Sequence, residues 1–224
     1  MASLDLRLLH WLYAGPAGAG VWLWTMVGLT VLGSGWSLFA ILPFAWPERT
    51  RRVTLRLLGA LVATAVVVFA LKALVGRARP CSCLADVHAL VFAAPTDPSF
   101  PSGHAAGAFA FAGFLALEVV RRPERRSLRK WLVVGGLFAV ALGIAVSRVV
   151  LGVHFPSDVT AGAAIGALIG GAMSMMAKGG SEAETGTETE TETEAETEAE
   201  AETETETETE TEAETETGTE TASG

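Results

Sequence analysis

What this sequence lacks narrows it quickly. It has only two cysteines, Cys81 and Cys83. They cannot build a disulfide framework or complete a zinc site, and they are too close together for an easy mutual bond. Acidic residues are nearly missing from the first 180 positions, 7 against all 16 lysines and arginines. Basic residues are missing from Ser181 to Gly224, which carry 18 glutamates and no aspartate. The net charge of −9 therefore averages a body at +9 with an acidic tail, and an acidic soluble protein is excluded. A Gly-rich nucleotide loop of the Walker kind is also absent, and no nucleic-acid partner is expected. Roughly 59 % of the body is hydrophobic, well above the norm for soluble domains.

That excess is gathered into long apolar runs. A helix needs about 20 apolar residues to cross the hydrocarbon core. Five stretches qualify: Val21 to Trp46, Val53 to Val75, Ser102 to Val120, Trp131 to Val150, and Asp158 to Ala177. The piece from Leu4 to Ala14 is too short, but Leu4, Leu8, Trp11 and Leu12 recur at helical spacing, as in an interfacial amphipathic helix. Asp5 and His10 spoil the basic-then-apolar order of a signal peptide ending near Ala17-Gly18-Ala19. The expected fold is all-α: an N-terminal interfacial segment (1–20), an integral membrane helical bundle of five spans (21–178), and a disordered Thr/Glu-rich acidic tail (179–224). A sixth span at the N-terminus would move only the N-terminus itself. The tail has no apolar face and cannot bury enough surface to offset the entropy of ordering.

Orientation follows from the short loops. Arg49, Arg51, Arg52 and Arg56 follow the first span; Arg121, Arg122, Arg125, Arg126, Arg129 and Lys130 follow the third. Five spans put both loops on one side, which the positive-inside rule makes cytoplasmic. Trp46 and Trp131 stand where interface anchors belong. The loops after spans two and four then face outward and the tail inward, in a multi-pass protein of the cell membrane. Gly162, Gly166 and Gly170, every fourth residue of span five, invite close helix packing and carry no chemistry.

Polar residues concentrate in three outward-facing clusters. In Lys72-Ala-Leu-Val-Gly-Arg-Ala-Arg79-Pro80, Lys72 and Arg79 are two helical turns apart, although Pro80 bends the chain at Arg79. Lys72 is either a site cation or a side chain snorkelling to the interface. In Pro101-Ser102-Gly103-His104, Ser102 is a natural N-cap, and the first amides of the helix are donors suited to an anion. In Ser147-Arg148-(x5)-His154-(x3)-Asp158, the carboxylate can hold one imidazole nitrogen and leave the other free. Taken alone, each cluster has a structural reading: a snorkelling lysine, a capped helix, a helix-capping aspartate. Together they place three cations, a helix-end amide group, two histidines and a carboxylate on one face. Cations with backbone donors suit phosphate; two histidines suit a nucleophile and a proton donor. No metal or other cofactor is needed, since the side chains already supply the positive charge.

In that order, Lys-x6-Arg-Pro, Pro-Ser-Gly-His and Ser-Arg-x5-His-x3-Asp resemble the three signatures of the type 2 phosphatidic acid phosphatase / haloperoxidase superfamily. With the flanking spans, the resemblance covers most of residues 21–177. It implies that His154 attacks phosphorus to form a phosphohistidine and that Asp158 orients it. His104 would protonate the leaving oxygen and then activate water. Lys72, Arg79, Ser102, Gly103 and Arg148 would hold the phosphoryl oxygens, and Ser147 would add a supporting hydrogen bond. Arg77 matches no signature position and reads as an interface charge; His10 and His88, without partners at recognisable spacing, read as interface or loop residues. The soluble haloperoxidases of the superfamily bind vanadate in this pocket, an activity that five spans argue against. The implied substrate is a membrane lipid phosphate or diphosphate: an isoprenyl diphosphate of the undecaprenyl or dolichyl type, phosphatidate, or phosphatidylglycerophosphate. The alternatives are a lipid phosphotransferase using the same phosphohistidine and a non-enzymatic small transporter or scaffold. The loop from Cys81 to Phe100 is expected to cover the site or admit substrate. Oligomeric state is not readable from the sequence.

Overall fold

A computed structural model describes residues 4–15, 20–35, 37–91, 93–121 and 128–176. The expectations for the acidic tail, for Arg122, Arg125 and Arg126, and for a cleavage site at residues 17–19 lie outside these residues. Regular structure among them is entirely helical: α1 (Leu4–Leu12), α2 (Val21–Leu32), α3 (Ser37–Ile41) followed by a 3₁₀ turn (Leu42–Ala45), α4 (Glu48–Val75), α5 (Pro80–Cys83), α6 (Gly103–Arg121), α7 (Leu128–Val150) and α8 (Pro156–Met176).

Four of these, α4 with its α5 extension, α6, α7 and α8, are long and apolar enough to cross a membrane. They begin and end within a few residues of the expected spans. The first expected span, Val21 to Trp46, is not one helix. α2 has 12 residues, about 18 Å, too short for a hydrocarbon core of about 30 Å. The break has local causes. Gly33-Ser34-Gly35 has poor helix propensity, Ile144 of α7 presses against Gly33 where a Cβ would stand, and Pro43 starts the 3₁₀ turn. Even so, the segment runs from one end of the bundle to the other. Thr30 bonds Ser147 near the C-terminus of α7, whereas the Phe44 carbonyl accepts from Thr50 and Thr54 in the first turns of α4.

α6 lies at the centre, packed by α4, α7 and α8. A Cβ at Gly162, Gly166 or Gly170 would overlap the backbone of Ser102, Ala106 or Ala110, so the glycine repeat lets α8 and α6 meet backbone to backbone, as expected from its spacing. α1 is helical as expected, but of its expected stripe only Leu12 packs inward, beside Leu9, which was not part of it. Leu9 is fully buried against Val87, Val149 and Phe155, while Leu4, Leu8 and Trp11 remain exposed. The antiparallel alternation of the long helices brings the C-termini of α4 and α7 and the N-termini of α6 and α8 to one end. Every polar cluster read from the sequence lies there.

Candidate active site

Each cluster arrives on a differently built backbone. α4 stops at Gly76, whose φ of +61° and amide bond to the Lys72 carbonyl form a left-handed cap. Arg79 is then extended ahead of Pro80, which opens α5. Lys72 and Arg79 therefore do not share a helix face; they meet at a common partner. Asp97 accepts from Lys72 Nζ at 2.7 Å and from Arg79 Nη2 at 2.9 Å, and the Pro98 carbonyl also accepts from Lys72. Burial alone would raise the Asp97 carboxyl, but the Lys72 hydrogen bond and the Arg79 charge outweigh it and hold the group below the usual carboxylate range.

The second cluster opens α6. Ser102 is completely buried and its Oγ takes a long N-cap bond, 3.5 Å, from the Ala105 amide. His104, in the first turn, is half-buried within electrostatic reach of Arg148, His154, Arg79 and Lys72. The third cluster ends α7 and turns into α8. Gly152, at φ +76°, makes that turn, with no room for a Cβ beside the His88 carbonyl. Arg148 is buried and donates to Thr30 Oγ1 at 3.3 Å.

His154 is 2 % exposed and Asp158 is fully buried. Arg79 Nη1 lies 3.1 Å from His154 Nε2. A guanidinium can only donate, so this contact requires a lone pair on Nε2 and puts the ring proton on Nδ1. Nδ1 lies 3.5 Å from Asp158 Oδ2, aimed at the carboxylate but longer than a normal hydrogen bond. Burial, aided by the Arg79 and Arg148 charges, outweighs the Asp158 carboxylate and pushes the His154 imidazole down to about 4. The ring is therefore neutral at neutral pH, with its Nε2 lone pair facing the Arg79 guanidinium. Among the described residues, His154 Nδ1 and Arg148 Nε are buried side-chain atoms without a hydrogen-bond partner.

All eight site residues expected from the sequence thus lie at one end of the bundle. Others there were not expected. Asp97 bridges the two cations, and Ser99 donates to Asp158 Oδ2. Arg77, read as an interface charge, pairs instead with Asp158 and Asp5 at 2.6 and 2.8 Å. His10, read as lacking a partner, bonds Asp86 at 2.8 Å, and the Tyr13 hydroxyl joins the backbone of His88. The available signal was scarcity: the chain has four aspartates, and at this end Asp5, Asp97 and Asp158 pair with lysine or arginine while Asp86 bonds His10. Cys81 and Cys83 are free thiols.

A cavity of about 550 Å³ opens beside the site. It runs from Gly103 and Gly107 on α6 past Leu61 on α4 and Ile144 on α7 down to Val133, and its wall is overwhelmingly apolar. Cations and two histidines at one end of an apolar bundle, with Gly103 shared between their cluster and an apolar cavity, fit a membrane lipid phosphatase. It belongs to the PAP2 superfamily, whose pattern matches residues 53–179, and it is a multi-pass membrane hydrolase of lipid phosphates. The chain is 34 % identical over 169 residues to a decaprenylphosphoryl-5-phosphoribose phosphatase of Mycobacterium tuberculosis, covering 71 % of this chain and 82 % of that protein. It is 32 % identical over 122 residues to an undecaprenyl-diphosphatase of Sulfolobus acidocaldarius, covering 54 % of each. Among solved structures, LpxE of Aquifex aeolicus superposes with a TM-score of 0.63 at 31 % identity, covering 78 % of this chain and 96 % of that one. A transmembrane PAP2-type phosphatidylglycerolphosphate phosphatase from Bacillus subtilis superposes with the same score at 25 % identity, covering 78 % and 84 %.

Proposed function

We propose that this enzyme removes a terminal phosphate from a prenyl-type lipid phosphate or diphosphate at the outer membrane face, through a phosphohistidine on His154. The observation that carries the reading is the adjacency of two environments: Gly103, between Ser102 and His104 of the cationic cluster, also lines the apolar cavity. A headgroup fits the first and a hydrocarbon chain the second. The prenyl preference rests on the two relatives whose names specify decaprenyl and undecaprenyl lipids; phosphatidate and phosphatidylglycerophosphate are the next candidates.

In this scheme His154 Nε2 attacks phosphorus as the bond from phosphorus to the lipid-side oxygen breaks, and His104 protonates that oxygen. Water then attacks the phosphohistidine, His104 takes its proton, and inorganic phosphate leaves. Asp158 keeps the Nδ1 proton oriented and compensates the charge the ring gains. Lys72, Arg79, Arg148, the Ser102 hydroxyl and the amides around Gly103 neutralise the equatorial oxygens, which is most of what phosphoryl transfer asks of a protein. The unpartnered Arg148 Nε suits that role, since a buried unsatisfied donor is costly and a phosphoryl oxygen would satisfy it. Asp97 holds Lys72 and Arg79 in register and exchanges places with the incoming phosphoryl group.

The broken segment α2–α3 serves as the fifth crossing, with α1 lying in the outer interface and Leu4, Leu8 and Trp11 toward lipid. With that topology Arg49, Arg51, Arg52 and Arg56 lie inside, in keeping with the positive-inside rule. The test is phosphate release by purified protein in detergent from a panel of lipid mono- and diphosphates, with chelator present and with candidate acceptor alcohols added. Release of inorganic phosphate, fastest from prenyl lipids and unaffected by chelator, is the expected result. Chelator sensitivity, or transfer to an acceptor without phosphate release, would refute it.

A further inference from the structure

We propose that Arg77 is a positioning residue for the His154–Asp158 pair, and that α1, through Asp5, is a structural part of the active site. The inference rests on the functional reading above and adds residues that are fixed positions of no signature.

A fully buried carboxylate is costly unless its oxygens are paired, and the two oxygens of Asp158 are used differently. Oδ2 accepts from the Phe155 amide at 2.9 Å and from the Ser99 hydroxyl, and it faces His154. Oδ1 accepts from Arg77 Nη1 at 2.6 Å. A carboxylate is planar, so fixing Oδ1 fixes the direction in which Oδ2 meets the imidazole. Arg77 is itself held on several sides. Its Nη1 reaches Ser157 Oγ at 2.7 Å, its Nη2 reaches Asp5 Oδ2 at 2.8 Å, and its guanidinium stacks 4.0 Å from the Phe155 ring centre.

Asp5 completes the arrangement from outside. Its Oδ1 accepts the Ser157 amide at 2.9 Å and its Oδ2 the Ser157 hydroxyl at 2.6 Å, so a residue of α1 caps the first turn of α8. A line of contacts runs from Asp5 through Arg77 and Asp158 to His154. Leu9, His10 and Tyr13 anchor the rest of α1 to the same face. Arg77 bonds Oδ1, whereas Arg79 stands at the reacting Nε2. Arg77 therefore acts through Asp158 and touches neither phosphate nor the nucleophilic nitrogen.

The test compares wild type with Arg77→Gln, Arg77→Lys and Asp5→Asn as full-length protein, on whichever lipid wild type hydrolyses. Arg77→Gln is expected to lower kcat about ten- to hundredfold with KM within about twofold, the signature of lost orientation. Arg77→Lys should recover part of that loss, and Asp5→Asn should lower kcat about threefold to tenfold without a KM change. The groups facing His154 are Asp158 from α8, Arg79 from the α4–α5 turn, Arg148 from α7 and His104 from α6, with Lys72 and Asp97 beyond Arg79. Removing the Arg77 cation behind Asp158 favours the imidazolium, so the acid limb of the kcat/KM profile should move to higher pH. The His154 titration, followed by NMR of histidine-labelled protein, should move with it. A loss carried by KM, an unshifted His154 titration, or wild-type kcat in both Arg77→Gln and Asp5→Asn would overturn the inference. The NMR titration needs no turnover, so it decides this proposal even if wild type releases phosphate from no lipid, which would refute the functional reading instead.

Discussion

At one end of the bundle, where α4 and α7 finish and α6 and α8 begin, three of the chain's four aspartates pair with lysine or arginine and the fourth, Asp86, bonds His10, and Arg79, Arg148 and His154 are almost wholly buried. At the other end, Arg49, Arg51, Arg52 and Arg56 stand exposed at the start of α4. The same residue types do different work at the two ends. Exposed arginines cost little and bias orientation in the bilayer. Buried Arg79 is held by Asp97 and the Val153 carbonyl and buried Arg148 by the Thr30 hydroxyl, and such expensive arrangements in membrane proteins mark function.

Variants can break this contrast, beginning with the most severe. His154→Ala should reduce phosphate release to background while leaving the helical circular dichroism and the chromatographic profile in detergent unchanged; normal hydrolysis would remove the nucleophile from the scheme. Arg148→Lys should lower kcat/KM about a hundredfold or more, because an ammonium cannot reproduce a two-pronged guanidinium contact, whereas Arg52→Lys at the opposite end should not register in the same assay. Gly166→Val tests packing and not chemistry. Its side chain would overlap the Ala106 backbone, so the protein should lose about 3 kcal/mol or more of stability in a detergent unfolding titration. Gly107→Leu meets nothing within 4 Å and projects into the apolar cavity. It should raise KM about tenfold for a long prenyl phosphate and much less for a short-chain analogue. The smallest effect is expected from truncation after Lys178: kcat within about twofold of wild type, since the Thr/Glu repeat contains no site residue and no apolar pattern.

The acidity of the reaction sharpens the contrast further. His154 must be neutral to attack, and burial has moved its titration well below the ordinary histidine range. Activity should therefore persist as pH falls through 6.5, the usual imidazole value, and fail only under more acidic conditions. An acid limb at the ordinary value would mean that the pocket is wetter than its burial implies.

Much of this was legible in the sequence because membranes and phosphate chemistry both leave short-range signals. Four spans could be placed within a few residues because hydrocarbon thickness dictates their length. Gly162, Gly166 and Gly170 announced backbone contact through their spacing alone. Lys72, Arg79, Ser102, His104, Arg148, His154 and Asp158 were findable because each is costly in an apolar protein. What stayed hidden depends on contacts far apart in the chain. Asp5 meets Ser157 across 152 positions, Thr30 meets Arg148 across 118, and no periodicity encodes either. Hydropathy merged Val21 to Trp46 into one span because it averages over the Gly33-Ser34-Gly35 break. Arg77 was passed over because it lies inside the first signature without being one of its fixed positions.

The central claim is that His154 carries the phosphoryl group, and rapid-quench labelling tests it most directly. Purified enzyme mixed with a lipid bearing a radiolabelled terminal phosphate, then quenched in base, should show an acid-labile, base-stable label that mass spectrometry places on His154. The label should be absent from His154→Ala. A label on another residue, or one that survives in His154→Ala, would contradict the account.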